Sequence, residues 1–250
     1  MKKNFNILIL SLIIECLIIT CVAISALFDG YGYYVFYNIC YGLLLSTAFP
    51  IFLLLRNKED FISVGIKRMR ARQTIVLISF VIFSIGGQVI PKIIAGEHIA
   101  WDLLPLCILP LVMTTFFEEF LFRGFFQTRI EKRYGSLIAI FISAAMFSLY
   151  HLGYPGFRTF EDLLLLFAVG AGLAIAFKLS GNNLIVSYFV NLPNAFITYI
   201  FKSKQFPELT EASNIFAAVS IVLIVVLLIF GKSKMKHMSI QNNEQDTLQS

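Results

Sequence analysis

The stretch Phe116-Phe117-Glu118-Glu119-Phe120-Leu121-Phe122-Arg123 places three charged residues inside a run that is otherwise apolar. An ionised side chain at the centre of a bilayer costs about 2.5–3.5 kcal/mol on insertion scales. Charges inside an apolar span are therefore rare, and they usually mark a functional site. The stretch predicts a membrane helix that carries such a site.

The rest of the chain has the composition of a membrane protein. Of its 250 residues, 58% are hydrophobic and 14% are charged, and the mean hydropathy is +0.81, whereas an ordinary soluble domain is about 25% charged. The predicted fold class is all-α, a polytopic bundle of about eight transmembrane helices. The net charge of +5 is spread between apolar runs. We therefore expect membrane lipid as a partner and no nucleic acid.

Eight apolar runs are candidates for crossing about 30 Å of hydrocarbon. They are residues 7–27, 33–55, 74–95, 103–127, 136–152, 163–179, 183–201 and 215–230. Short cytoplasmic loops are rich in Lys and Arg. With the N-terminus inside, fifteen of the 20 Lys and Arg residues fall on the cytoplasmic side and four outside, with Arg123 in a span. Both termini are therefore predicted to be cytoplasmic.

These runs divide the chain into four parts. Residues 1–100 contain the first three helices and a basic cytoplasmic loop at 56–73, and residues 101–201 contain helices four to seven. Residues 202–231 contain the last helix, and residues 232–250 form a polar cytoplasmic tail. Residues 239–250 lack apolar periodicity and are expected to be unstructured. The composition, rich in Lys, Asn, Ile and Phe, is typical of a low-GC bacterium, which predicts a multi-pass protein of the bacterial plasma membrane.

Helical spacing separates the roles of the two glutamates. Residues four apart share a helix face, so Glu119 and Arg123 can form an ion pair that makes their burial tolerable. Glu118 lies about 100° further round the helix and is left to face a cavity as a base. In the alternative, all three residues form only a polar packing contact between helices.

The next span brings His151 to the depth of Glu118. Both residues are about equally far from the turn at Gly135, and equal separation means equal depth in an antiparallel hairpin. Glu118 is eleven residues inside Arg129, or about 16 Å, near the midplane. Phe147 shares the helix face of His151. A lone histidine is more often structural, but opposite two carboxylates it is a candidate general acid/base or metal ligand.

Two further polar residues lie near the same depth. Asn191 is ten residues after Gly181, or about 15 Å into the seventh span. Alone, such an amide more often joins helices by a hydrogen bond than takes part in catalysis. Glu15 in the first span is expected either to line the cavity or to be protonated and hydrogen-bonded.

The first two motifs resemble those of a known family, the CPBP intramembrane proteases. This family includes the type II CAAX prenyl endopeptidases and the abortive-infection or bacteriocin-processing proteins. Glu118-Glu119-x-x-x-Arg123 matches its double-glutamate motif, and Phe147-x-x-x-His151 matches its second motif. In the family, the first glutamate and this histidine activate a water for attack on a peptide carbonyl.

The third family motif, a histidine followed four residues later by asparagine, is altered here. Asn191 stands in the histidine position and Ala195 in the asparagine position, with Asn194 one residue early. The resemblance covers residues 101–201, which it identifies as a CPBP-like catalytic core. It implies that the catalytic residues are Glu118, Glu119, His151 and Asn191, and that the supporting residues are Arg123, Phe147 and Asn194. Asn191 would donate an amide N–H to an oxyanion.

The histidines limit the choice of cofactor. A hydrolytic zinc site takes three His or carboxylate ligands and a water. With His151 and two glutamates near the site, a His-rich zinc centre cannot be assembled. We expect metal-free hydrolysis, with a divalent metal such as zinc as the alternative. Because Asn191 cannot transfer a proton as histidine does, reduced activity is also expected.

Two functions of different classes remain. The first is an intramembrane endopeptidase that cleaves a membrane-associated peptide or protein, such as a leader, a signalling peptide or a bacteriocin precursor. The second is a non-catalytic protein of the same fold, acting as an immunity factor or as a regulatory partner of another membrane protein. The altered third motif favours the second function, whereas the intact first two motifs favour the first.

Overall fold

Eight apolar helices make up most of the computed structural model, which describes residues 6–28, 30–201 and 209–249, with side chains up to residue 236. In chain order they are α1 (Ile7–Ser25), α2 (Tyr31–Arg56), α3 (Ala71–Ile94), α4 (Trp101–Tyr134), α5 (Ser136–Gly153), α6 (Phe160–Leu179), α7 (Leu184–Ile200) and α8 (Glu211–Gln249). These described residues contain no strand. The predicted all-α class is confirmed.

Seven of these helices are long and apolar enough to cross a membrane, and the chain is a multi-pass membrane protein. The exception is α7, which has 17 residues and a length of about 26 Å. It packs against α3, α4 and α6 inside the bundle. All eight predicted apolar runs lie largely on these helices. The cytoplasmic location of the termini stays a prediction.

The last helix extends further than the sequence predicted. It continues to Gln249, so residues 239–249 are helical, and the expectation of an unstructured tail was wrong for them. Residue 250 lies outside the described part of the chain. No Gly or Pro follows Gly231, and Lys, Met, Gln, Glu and Leu are good helix formers. These propensities explain why the helix does not end at the membrane surface.

Two helices contain π-helical segments that the sequence did not predict. They are Val35–Ala48 in α2 and Glu119–Gln127 in α4. A π-helix closes its hydrogen bonds between residues five apart, is rare, and occurs frequently at functional sites. All nine residues of Glu119–Gln127 are buried. The charged stretch therefore lies in the centre of the bundle, at the point where α4 changes from α- to π-helical geometry.

The basic loop between α2 and α3 is attached to the turn between α6 and α7. Lys67 Nζ donates to the carbonyl of Gly181 at 2.6 Å. Gly65 has a φ of +85°, and a Cβ added there would lie 2.7 Å from the backbone oxygen of Asn182. Only glycine combines this backbone conformation with such a close approach. The loop thereby holds one end of the bundle together.

Candidate active site

Glu119 and Arg123 form the predicted ion pair. Arg123 Nη1 lies 3.3 Å from Glu119 Oε1, and both side chains are 0% exposed. Arg123 Nη2 also donates to the carbonyl of Gly170 on α6 at 3.1 Å, and the guanidinium lies 4.6 Å from the ring centre of Phe147. Through these contacts the ion pair joins α4 to α5 and α6. Its role is therefore to hold the helices of the site in place.

Glu118 lines a small cavity, whereas Glu119 does not. The cavity has a volume of about 100 Å³, which is enough for water, and Glu118 is 7% exposed. His151, Asn191 and Asn194 line the same cavity. The structure therefore brings together the residues that the depth argument placed at one level, and it separates the two glutamates as their helical positions predicted.

The hydrogen bond of His151 determines which ring nitrogen is left for chemistry. Nδ1 lies 2.7 Å from the carbonyl oxygen of Phe147. A carbonyl can only accept, so Nδ1 carries the hydrogen, and in the neutral ring Nε2 is an acceptor. His151 is 6% exposed. Phe147 therefore supports the site in two ways, since its carbonyl orients His151 and its ring lies against Arg123.

Asn191 contacts both carboxylates. Its Nδ2 donates to Glu118 Oε2 at 2.9 Å and to Glu119 Oε1 at 3.0 Å, and these two bonds use both amide hydrogens. Its Oδ1 accepts from Asn194 Nδ2 at 3.5 Å, and Asn194 Oδ1 accepts from Gln88 Nε2 at 2.8 Å. This row of amides keeps the Asn191 N–H groups towards the carboxylates. Donation to an oxyanion requires that one of them be released.

Tyr150 is a site residue that the sequence did not single out. Its hydroxyl donates to Glu118 Oε1, and its ring centre lies 4.0 Å from that of His151. Tyr150 begins a 3₁₀ turn, Tyr150–Gly153, at the end of α5. A 3₁₀ turn advances about 120° per residue instead of 100°, so α-helical spacing misjudges the directions of these side chains. Its position next to the motif histidine was the available signal.

Two tyrosines, Tyr37 and Tyr154, also line the cavity. Tyr154 donates to the hydroxyl of Tyr37 at 2.9 Å, and Tyr37 donates to Thr114 Oγ1 at 3.3 Å. All three residues line the Glu118 cavity. Tyr154 directly follows α5, Tyr37 lies on α2 and Thr114 lies on α4. The cavity therefore contains several hydroxyl groups besides its carboxylate, which suits it to hold water.

The donor set does not fit a three-ligand zinc site. Within the described residues, no group of three His, Cys, Asp or Glu side chains is placed to hold a metal ion. Both oxygens of Glu118 accept hydrogen bonds from Tyr150 and Asn191, and Glu119 is paired with Arg123. Because both glutamates are already engaged in these contacts, neither is free to bind a metal ion together with His151.

Glu15 on α1 lies outside the site. It is 3% exposed, it is not part of the cavity lining, and neither of its carboxylate oxygens has a hydrogen-bond partner among the described residues. The expected position in the Glu118 cavity was therefore wrong, whereas the protonation of Glu15 stays a prediction. Glu15 is instead a second intramembrane glutamate with which Glu118 can be compared.

Comparison with protein families supports the resemblance seen in the sequence. Residues 100–196 match a family model described as type II CAAX prenyl endopeptidase Rce1-like. The matched segment contains all four residues predicted to be catalytic, and the resemblance to this group of proteases is confirmed. Comparisons with curated proteins and with solved structures gave no match.

Proposed function

We propose that the chain is an intramembrane endopeptidase that uses a water activated by Glu118 and His151. The match of residues 100–196 to the Rce1-like type II CAAX prenyl endopeptidase model supports this proposal. The observation that carries the proposal is the different surroundings of the two glutamates. Glu119 is neutralised by Arg123, whereas Glu118 lines a water-sized cavity together with His151. A carboxylate in such a place can accept a proton.

The proposed reaction has two steps. In the first, Glu118 takes a proton from the water, whose second hydrogen is held by Nε2 of His151, and the water oxygen bonds to the substrate carbonyl carbon. In the second, the C–N bond breaks and Glu118 passes its proton to the leaving amine. General acid–base catalysis of this kind contributes about 10²–10⁴-fold.

Stabilisation of the oxyanion follows from the same charge movement. When Glu118 accepts the proton its negative charge disappears, while a negative charge develops on the substrate oxygen. The hydrogen bonds that Asn191 and Tyr150 give to Glu118 weaken at that moment, because bonds to a charged acceptor are the stronger ones. One of these donors then turns to the oxyanion. In this way Asn191 takes the role of the missing third-motif histidine without transferring a proton.

The proposed substrate is a membrane-associated peptide or protein, of the leader, signalling-peptide or bacteriocin-precursor type. The cavity lies among helices that span the membrane, so the scissile bond has to reach bilayer depth. We propose the bacterial plasma membrane as the location, with both chain termini in the cytoplasm, because this orientation satisfies the positive-inside rule.

The experiment that tests the proposal compares new peptide termini, by mass spectrometry, between cells making the wild-type chain and cells making Glu118→Gln at matched level. Termini that require Glu118 would establish proteolysis and identify the substrate. If the two cell types yield the same termini and the variant keeps its biological function, the chain is not a protease.

Tyr150→Phe is expected to slow cleavage by about 10-fold without loss of folded protein. The change removes one of the two donors that can turn from Glu118 to the oxyanion. Loss of an oxyanion donor costs about 10²–10³-fold where no other donor replaces it, and here Asn191 remains. The matched control is Tyr154→Phe, which removes a hydroxyl that donates to Tyr37 instead. Initial cleavage rates of both purified variants test this. Equal losses would mean that the contact with Glu118 has no special role.

Chelators are expected to leave cleavage unchanged. The proposed water is held by a carboxylate and an imidazole, and the donor set does not fit zinc. Cleavage that depends on Glu118 should therefore continue at the same rate after dialysis of the purified protein against EDTA or 1,10-phenanthroline. A loss that added Zn²⁺ reverses would contradict the metal-free mechanism.

One observation favours the non-catalytic alternative. Asn191 satisfies both carboxylates at once, which is also the arrangement expected of a polar contact that only joins helices. A protein of this kind would act as an immunity factor or as a regulatory partner of another membrane protein. In that case Glu118→Gln should leave both its function and its binding partner unchanged.

A further inference from the structure

A second and larger cavity lies beside the Glu118 cavity, between α3, α6 and α7. Its volume is about 680 Å³, within the range of about 300–1,000 Å³ found for ligand pockets. Its walls are mainly apolar, and it is lined by residues such as Phe80 and Phe83 of α3, Leu165 and Val169 of α6, and Val190 of α7. No residue of α3 is buried over its described length, 71–94. We call this cavity the lateral groove.

The lateral groove shares a wall with the Glu118 cavity. Phe157, Leu166, Asn194 and Thr198 line both of them. Asn194 is also the residue that donates to Asn191, which in turn contacts Glu118. Two hydrogen bonds, from Asn194 to Asn191 and from Asn191 to Glu118, therefore link the wall of the groove to Glu118.

A row of polar groups crosses the otherwise apolar groove. Gln88 Nε2 donates to Ser84 Oγ at 2.9 Å and to Asn194 Oδ1 at 2.8 Å, and Thr198 lies one turn beyond Asn194 on α7. A lipid acyl chain has no group that can hydrogen-bond to them. A peptide that has left its helix within hydrocarbon has N–H and C=O groups that must find new partners. The groove offers apolar walls for the side chains and polar groups for such a backbone.

We propose that the lateral groove binds an unwound apolar segment of a membrane-embedded substrate, which enters sideways from the bilayer and presents its scissile bond to Glu118. The proposal rests on the proposed function, because that function supplies the substrate. It assigns α3 as one wall of the substrate site, although α3 lies outside the matched segment 100–196.

Two neighbouring glycines on α3 provide a matched test. Gly87 lines the groove, and among the described atoms nothing lies within 4 Å of a Cβ added there. Gly86 is not part of the lining, and its added Cβ meets only Ile90 Cδ1, at 3.9 Å. Gly172 of α6 also lines the groove, again with no described atom within 4 Å of an added Cβ. Large side chains at 87 and 172 therefore fill the groove, while one at 86 does not.

Gly87→Phe and Gly172→Phe are each expected to reduce Glu118-dependent cleavage by about 10-fold or more, because a filled groove excludes substrate from binding. Gly86→Phe should stay within about 2-fold of wild type, since it has the same effect on helix propensity and lies outside the groove. Membrane abundance of the three variants is measured in the same cells. Unchanged cleavage in the two groove variants, or an equal loss in Gly86→Phe at equal abundance, would overturn the proposal.

A binding measurement makes the groove testable without catalysis. The full chain carries Glu118→Gln and photoreactive benzoylphenylalanine in place of Phe83, an aromatic residue that already lines the groove, or in place of Ile82, which does not line it, as control. The protein is placed in vesicles of phosphatidylethanolamine and phosphatidylglycerol. The probe is a synthetic membrane-spanning peptide of Leu and Ala with a helix-breaking Gly-Pro pair at its centre. The matched probe has Ala-Ala in place of that pair.

Illumination is expected to give peptide adducts at position 83 with the broken probe, in clear excess over position 82 and over the unbroken probe. Adducts with phospholipid alone, equal adducts with both probes, or no adduct would overturn the proposal. If no termini depend on Glu118 in cells, the proposed function fails. The adducts still test whether the groove binds an unwound peptide. Failure of the proposed function and failure of the groove proposal can therefore be told apart.

Discussion

Glu118→Gln should abolish cleavage while the folded protein stays in the membrane at wild-type level. Glutamine has the shape of glutamate but cannot take a proton from water, so the loss should be at least about 10²-fold. The amide oxygen can accept from Tyr150 or from Asn191 but not from both, and one unsatisfied buried donor costs about 1–3 kcal/mol. Removal of a buried negative charge offsets part of that cost. Quantitative mass spectrometry of new termini, with immunoblots of membrane fractions, tests both statements.

The matched control is Glu15→Gln. Glu15 is likewise a buried glutamate of a membrane-spanning helix, but it lies outside the Glu118 cavity. The same chemical change at position 15 should therefore keep the wild-type termini. Loss of the termini in both variants would show that any intramembrane glutamate is required, and it would remove the argument that Glu118 is the base. Cleavage that persists in Glu118→Gln would contradict the proposed function itself.

Much of the site could be predicted because depth in a membrane is a one-dimensional quantity. The rise per residue and the position of the turn at Gly135 were sufficient to place Glu118 and His151 at one level. The spacing of Glu119 and Arg123 was sufficient to predict their ion pair, which the structure contains. These arguments need only helices that are regular and antiparallel.

The remaining features depend on departures from regular helices. The π-helical segment Glu119–Gln127 and the 3₁₀ turn Tyr150–Gly153 change the angle between neighbouring side chains, and α-helical spacing cannot anticipate either. The contact between Gln88 and Asn194 joins helices that are distant in the chain. Nothing in the local pattern around Gln88 indicates its partner. The lateral groove was missed for the same reason, since one of its walls comes from α3.

Arg123→Met should destabilise the protein by about 3–5 kcal/mol, because it leaves the charge of Glu119 buried without its partner. Glu119→Gln should cost a similar amount, since it strands the Arg123 guanidinium. Both side chains are 0% exposed. Lys178→Met is the matched control. Lys178 pairs with Glu131 but is 40% exposed, and such exposed pairs contribute only about 0–1 kcal/mol. Thermal unfolding in detergent and membrane abundance measure the differences.

A double variant, Glu119→Gln with Arg123→Met, distinguishes the structural role of the ion pair from its effect on catalysis. A buried ion pair can often be replaced by uncharged residues of similar volume with little net loss, so Glu119→Gln with Arg123→Met should regain much of the abundance that each single variant loses. Cleavage should recover less than abundance. Glu119 Oε1 also accepts a hydrogen bond from Asn191, and without that carboxylate the amide is held less firmly beside Glu118. Full recovery of both quantities would assign the pair a purely structural role, whereas no recovery of abundance would contradict the ion-pair argument.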